Sequence, residues 1–391
     1  MKLLPYMSEG PDVMLLQSVL KRYGYYKGNI DGIYGQQTME AVRQFQIDNG
    51  IRVVGIVGPQ TWTYLTPFVN GYLMHTVQKG DTFYKLAERY NSTVALIETA
   101  NSGVDPNNLQ IGQRLVIPFQ TGAVPTDLSY TYPIMELNLN SLKTRFPFLR
   151  LDSIGRSVME NELYRVRIGT GTKNVSYNAS HHANEWITSV VLMKYLEDLC
   201  FAYVAGAEIG GRSARTLLEN CTIQFIPMVN PDGVNLVCGE LTPDSPAYQY
   251  ALSINTEGTP FPDGWKANIR GVDLNVNYPA MWETAKQIKY ALGYTAPGPR
   301  EFVGPYPLSE PETQAMAQFT NANDFRLVLA YHTQGEVIYW KFADYNPPQS
   351  LEIAQAFSKV SGYLVEETPY ESGYAGYKDW FIQEYNRPGY T

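Results

Sequence analysis

The chain is 391 residues long with a formal net charge of −8, enough length for two or three domains and at least one large core. The acidic balance excludes nucleic acid as the partner, because phosphate binding needs a basic surface. No apolar run approaches the roughly 20 residues a membrane helix requires. The opening MKLLPYMSEGPDV has neither a leader-length apolar core nor a cleavage site, so the protein is expected to stay inside, to leave by another route, or to have lost a leader already. Cys200, Cys221 and Cys238 are odd in number and match no metal spacing; they are expected as reduced thiols rather than a disulfide framework.

Between residues 9 and 68, Val13, Leu16, Val19 and Leu20 recur at helical spacing, and Val42, Phe45 and Ile47 partly repeat the pattern before Gly50. Glycines in the stretch 28–35 mark a tight loop between them, and a second turn around Gly55 and Gly58-Pro59 leads into Thr61-Trp62. The run DVMLLQSVLKRYGYYKGNIDGIYGQQTMEAVRQFQIDNGIRVVGIVGPQTW resembles the small helical peptidoglycan-binding domain nearly end to end, and implies such a domain over residues 1–70.

The next stretch opens with HTVQKGDTFYKLAERYNST and closes with NLQIGQRLVIP, a pattern that fits a strand, two helices and a closing strand. Through Val77, Gly80, Asp81, Thr82, Leu86, Ala87, Ile97, Asn101, Leu109, Gly112, Gln113 and Ile117-Pro118 it resembles a LysM module, which implies a βααβ unit over 72–119 that binds N-acetylglucosamine polymers. His75 belongs to its opening strand and is not expected to bind metal. Residues 120–131, with Pro and small residues and no periodicity, read as a linker.

From residue 132 onward strands and helices alternate. Residues 175–179, 223–229 and 326–331 are β-rich, and 185–203 and 310–321 read as helices, so an α/β sheet covered on both faces is expected. In such sheets sites gather at the carboxyl ends of strands. His182 follows one β-run and His332 ends another. His182 and Glu185 can be aimed at one ion by a single turn, and His332 would complete a three-ligand zinc site with a fourth position open for water, the mark of a catalytic zinc. His181 competes for the metal, being one helical turn from Glu185.

At these residues the chain resembles the zinc carboxypeptidase family over about its last two thirds. His182-Ala-Asn-Glu185-Trp186 matches the first zinc motif, and His332 in Ala330-Tyr-His-Thr-Gln334 matches the third ligand. Asn230-Pro-Asp-Gly233 and Gly271-Val-Asp-Leu-Asn275 are further landmarks in order. The resemblance implies one Zn2+ held by His182, Glu185 and His332, with His181 a neighbour, in an α/β domain with a mixed central sheet. Asn275 is the retained substrate-binding residue, but Val276 stands where the family has the arginine that grips a terminal carboxylate, and Val cannot make that bidentate pair. The oxyanion arginine falls on Lys266, with Arg270 as an alternative, and Tyr370 corresponds to the mobile pocket tyrosine. The general-base glutamate, counted from Asp379-Trp380, falls just beyond Thr391; Glu384 is out of register and is expected on a solvent-facing helix. A domain cut before that last strand is expected to be inactive and to expose a sheet edge.

The expected whole is a multidomain zinc metallopeptidase tethered to peptidoglycan, which it hydrolyses at the γ-D-glutamyl–diaminopimelate bond of stem peptides. Its expected setting is the bacterial cell wall, the spore or the mother-cell cytoplasm. Two alternatives stay open: a catalytically inactive peptidoglycan-binding protein, and a zinc amidohydrolase of the same fold.

Overall fold

Helix α1 (Pro11–Arg22) begins with proline in its first turn, where the missing N–H costs nothing, and α2 (Gln36–Asp48) and α3 (Pro59–Asn70) follow. This is a computed structural model that describes residues 2–256 and 258–391. Two buried glutamines explain the glycine loops. The Gln17 side-chain carbonyl accepts from the N–H groups of Asp31 and Gly32 while its amide donates to the Ile33 carbonyl and Thr38. Gln46 does the same for the second loop, accepting from Val54 and Gly55 and donating to the Ile56 carbonyl and Thr61. Each amide thus satisfies a turn that would otherwise bury open backbone groups.

Strands β1 (Tyr72–Thr76) and β2 (Arg114–Pro118) pair antiparallel, with helices α4 (Phe83–Arg89) and α5 (Val94–Ala100) between them. Thr82 and Thr93 cap those helices through their hydroxyls, and Val77, Phe83, Leu86, Ile97, Leu115 and Ile117 form the core. His75 is engaged structurally, with Nε2 2.7 Å from Asp81 and Nδ1 3.1 Å from the Tyr90 hydroxyl.

The chain forms two compact units. One comprises residues 1–129, 133–149 and 193–215; the other comprises 130–132, 150–192 and 216–391. Within the first, the stretch expected as a linker is packed: Ala123, Val124 and Leu128 are buried, and Arg22 donates to the carbonyls of Gly122 and Ala123. At its centre Arg145, on α6 (Tyr132–Arg145), meets Glu197, on α7 (Ile187–Ala205), at 2.6 Å, both fully buried. Glu197 also accepts from the Ala123 N–H at 2.7 Å.

The second unit is built on a six-stranded mixed sheet. Its strands are β3 (Arg150–Arg156), β4 (Glu162–Ile168), β5 (Lys173–Ala179), β6 (Cys221–Ile226), β7 (Leu327–Tyr331) and β8 (Gly389–Tyr390), in the order β8-β7-β5-β6-β4-β3. The β8-β7, β7-β5 and β5-β6 pairs are parallel, and β6-β4 and β4-β3 antiparallel. The run expected over 223–229 ends at Ile226, because Pro227 cannot continue the ladder. Helices α8 (Pro231–Val237), α9 (Pro311–Asn321) and α10 (Tyr377–Tyr385) belong to this unit, whose largest apolar cluster joins Ile226, Met316, Phe325, Val328, Trp380 and Phe381. Cys200 and Cys238 are buried thiols and Cys221 is half-buried.

Breaking a buried ion pair from one side leaves an uncompensated charge. Glu197→Ala is therefore expected to cost about 3–5 kcal/mol in urea denaturation; a loss below about 1 kcal/mol would mean the pair is not what holds this unit together.

Candidate metal centre and pocket

Strands β5 and β7 lie side by side with Ala179 opposite Tyr331, so the chains leaving them emerge at the same place. After β5, Ser180 adopts a left-handed φ of 52°, and the turn at Ala183–Glu185 is a single 3-10 turn with His182 at its start. After β7 the next residue is His332. Sheet register therefore brings together ligands far apart in sequence.

The turn is held by the Asn230-Pro-Asp-Gly233 landmark. The Asn230 amide donates to the carbonyls of His181 and Ala267 at 3.2 and 3.0 Å, and its oxygen caps α8 by accepting from Gly233. Only glycine fits at 233: a Cβ there would stand 2.7 Å from the Ala267 carbonyl and 2.8 Å from the Ala183 methyl. Asp232 fixes the other side through Ser157, Asn161 and the Met159 N–H. The N–H groups of Ala183 and Asn184 donate to the carbonyls of Lys266 and Trp265, which locks the Lys266 segment against the turn.

The donor atoms form a tight triangle. His182 Nδ1 is 3.0 Å from Glu185 Oε1, His332 Nδ1 is 3.0 Å from Glu185 Oε2, and the two Nδ1 atoms are 3.2 Å apart. Tetrahedral ligands about 2.1 Å from zinc lie about 3.4 Å apart, so this triangle fits one face of a zinc site after a small expansion. Two imidazole nitrogens facing each other at this distance are otherwise in conflict unless one is protonated. His182 Nε2 lies 3.1 Å from Asp273 Oδ1, the outer-shell carboxylate that fixes the tautomer and leaves Nδ1 free for metal. Asp273 itself accepts from the N–H groups of Asn275 and Glu301.

His181 is not part of the triangle. Its ring is fully buried, its Nε2 is 3.2 Å from the Tyr278 hydroxyl, and it stacks on His332 at 5.9 Å. Burial, helped by the neighbouring imidazoles, holds it well below the ordinary histidine range, so it is a neutral support under His332. Burial also opposes charge on His182, but Asp273 and Glu185 outweigh it and push that group up to about 10. Burial raises Glu185 and Asp273, yet the facing imidazoles win and keep both carboxylates ionised.

A pocket of about 160 Å³ opens over this centre, lined by the three donors and by Lys266, Asn275 and Thr391, among others. Lys266 Nζ is 3.3 Å from Glu185 Oε1. Arg270, the other residue considered for the oxyanion, lies 3.6 Å from Glu310, is 54% exposed and does not line this pocket. Val276 is turned away, buried with Trp282, Ala285 and Val303. Tyr370 sits on an exposed turn and lines an adjoining cavity instead. Glu384 is exposed on α10. Sequence reasoning did not pick out Asp273 as the partner of His182, or Lys378 and Asp379 as pocket residues. The signal for Asp273 was in the landmark itself, an Asp held in place just ahead of Asn275.

The chain matches three known families. Residues 135–388 match the zinc carboxypeptidase model, residues 9–65 a peptidoglycan binding domain and residues 75–118 the LysM domain. The chain is 40% identical over 370 residues to gamma-D-glutamyl-L-diamino acid endopeptidase 1 of Lysinibacillus sphaericus, covering 81% of this chain and 91% of that one. It is 44% identical over 78 residues to the spore cortex-lytic enzyme of Bacillus subtilis, covering 19% of this chain and 26% of that one. In fold it is similar to carboxypeptidase A from Helicoverpa armigera, with a TM-score of 0.50 at 17% identity, covering 100% of this chain and 87% of that one.

Because the carboxylates keep a proton on His182 until pH nears 10, metal uptake must displace it. Apparent zinc affinity is expected to rise about tenfold per pH unit between pH 6 and 8, with about one proton released per zinc in calorimetry. Asp273→Asn should weaken zinc about 10–100-fold in a chelator competition. A pH-independent affinity would show that His182 carries no proton to lose.

Proposed function

The chain belongs to the zinc carboxypeptidase family, and we propose that it is a peptidoglycan hydrolase that cuts the γ-D-glutamyl bond to the diamino acid of cell-wall stem peptides. The observation that carries this reading is the joining, in one chain, of the His182–Glu185–His332 centre to two modules of wall-binding type. Such modules raise the local concentration of polymer at the tethered site. The position of Val276 supports cleavage within the stem rather than trimming of a free terminus. The family's carboxylate-gripping arginine is replaced there by an apolar side chain packed away from the pocket. The endopeptidase from Lysinibacillus sphaericus, similar over most of its length, carries this specificity in its name. The modules and the N-terminal likeness to a spore cortex-lytic enzyme support action at the cell wall or spore.

His182, Glu185 and His332 would hold one zinc, which when bound polarises the scissile carbonyl and brings a water's pKa toward ~7. Lys266, beside Glu185, supplies the positive charge that steadies the developing oxyanion, a point charge in place of a planar fork. The Asn275 side chain faces the pocket and orients the substrate. Tyr370, exposed on its turn with its ring edge-on to Tyr374, closes over it. The Thr391 N–H and carbonyl bond to Tyr339 at 3.1 and 2.9 Å on the pocket wall.

Mass spectrometry of L-Ala-γ-D-Glu-diaminopimelyl-D-Ala with zinc-loaded full-length protein should give L-Ala-D-Glu and diaminopimelyl-D-Ala. Lys266→Ala should lower kcat about 10²–10³-fold with little change in KM. An uncut γ-glutamyl bond would refute the assignment.

A further inference from the structure

The turn Tyr370–Ser372 has little to hold it. All three residues are exposed, yet Ser372 lines the zinc pocket and Tyr370 the cavity beside it. A wall with so few buried contacts belongs to the easily opened part of a structure. Among the described residues, one side chain hydrogen-bonds this turn: Lys289, whose Nζ donates to the Glu371 carbonyl at 2.7 Å. Farther on the backbone is pinned again, where Ala375 donates to the Ala280 carbonyl at 2.8 Å and accepts from the Tyr278 N–H at 3.0 Å.

Lys289 lies in the last turn of the helix Trp282–Ala291, where the helix dipole favours a cation, and its side chain is 5% exposed. A buried ammonium needs a carboxylate, and Glu301 supplies it. Glu301 has a left-handed φ of 66°, which a residue with a side chain keeps only where its surroundings enforce it. Two contacts do so here. Its carboxylate pairs with Lys289, and its N–H donates to Asp273 Oδ2 at 3.0 Å. Asp273 Oδ1 in turn lies 3.1 Å from His182 Nε2. One ammonium thus joins the exposed pocket turn to the carboxylate that orients a metal ligand.

We infer that Lys289 is a positioning residue for the reaction, tying the turn Tyr370–Ser372 to the Glu301–Asp273 support of the metal centre. This rests on the hydrolase reading given above. Lys289 is in the wall of neither cavity, so it acts through the turn and not on the substrate. Its effect is to fix in advance the wall against which the substrate lies, so that substrate binding need not order the turn. An ion pair that served stability alone would leave KM, and the opening of this one turn, where they were.

The test is Lys289→Met in the full-length protein, which keeps the length of the side chain and removes its charge. The amides of Ser372 and Ala375, bonded to the Pro369 and Ala280 carbonyls, should exchange hydrogen about tenfold faster or more, while the central strands keep their protection. With zinc-loaded protein and L-Ala-γ-D-Glu-diaminopimelyl-D-Ala, KM should rise about fivefold or more and kcat change less than about threefold. The double variant Lys289→Met/Tyr370→Ala should have the KM of Tyr370→Ala alone, because both changes act through one turn. Unchanged exchange at Ser372 and Ala375, or two KM effects that multiply, would overturn the inference. If the wild-type protein cuts no peptide, the hydrolase reading falls and the exchange comparison alone decides whether Lys289 holds the turn. If Lys289→Met does not fold, Glu301→Gln takes its place from the other end of the pair; exchange should quicken at the same two amides by a smaller factor, and no change there counts against the inference.

Discussion

Two imidazole nitrogens facing each other across 3.2 Å, with a buried carboxylate against both, form an arrangement that calls for a cation. Much of the second unit serves to hold that arrangement. Parallel pairing of β5 with β7 sets Ala179 opposite Tyr331, which brings two distant chain segments to one edge. Asn230 and the bare Cα of Gly233 then let the His182 turn approach the Lys266 segment closely. Asp273 orients His182, and His181 supports His332 from beneath as a neutral ring. Each device limits a side-chain freedom that would otherwise have to be lost when metal binds.

Charge is arranged with similar economy. Glu185 and Asp273 stay ionised in a buried site because imidazoles face them, and Lys266 adds a positive charge at the pocket wall. Farther along, Lys378 and Asp379 form a second neutral pair at the head of α10. The pocket is therefore neither strongly acidic nor strongly basic.

The three clustered donors were legible because they lie in a short motif and at the end of an apolar β-run, with His182 chosen over His181 by the family resemblance. The sheet's mixed character followed from the family resemblance, and the βααβ module from its pattern of a strand, two helices and a closing strand. Other features depended on side-chain direction, which sequence spacing does not carry. The sequence register put the oxyanion charge on Lys266 with Arg270 as the alternative, and Arg270 turns to Glu310. Val276 was recognisable as a lost arginine, yet its packing against Trp282 and Val303 is a tertiary fact. The stretch 120–131 looked like a tether because it lacks periodicity; Ala123, Val124 and Leu128 are buried there by irregular backbone, which has no period to detect. Lys378 left a faint trace, a lysine in the first turn of a helix beside the Asp379-Trp380 landmark.

The most direct measurement is a crystal structure of the zinc-loaded protein with anomalous data at the zinc edge. The account predicts a single zinc bound by Nδ1 of His182, Nδ1 of His332 and the Glu185 carboxylate, with bonds of about 2.0–2.2 Å, and Nε2 of His182 on Asp273. Zinc held through His181, or an anomalous peak away from this triangle, would contradict it.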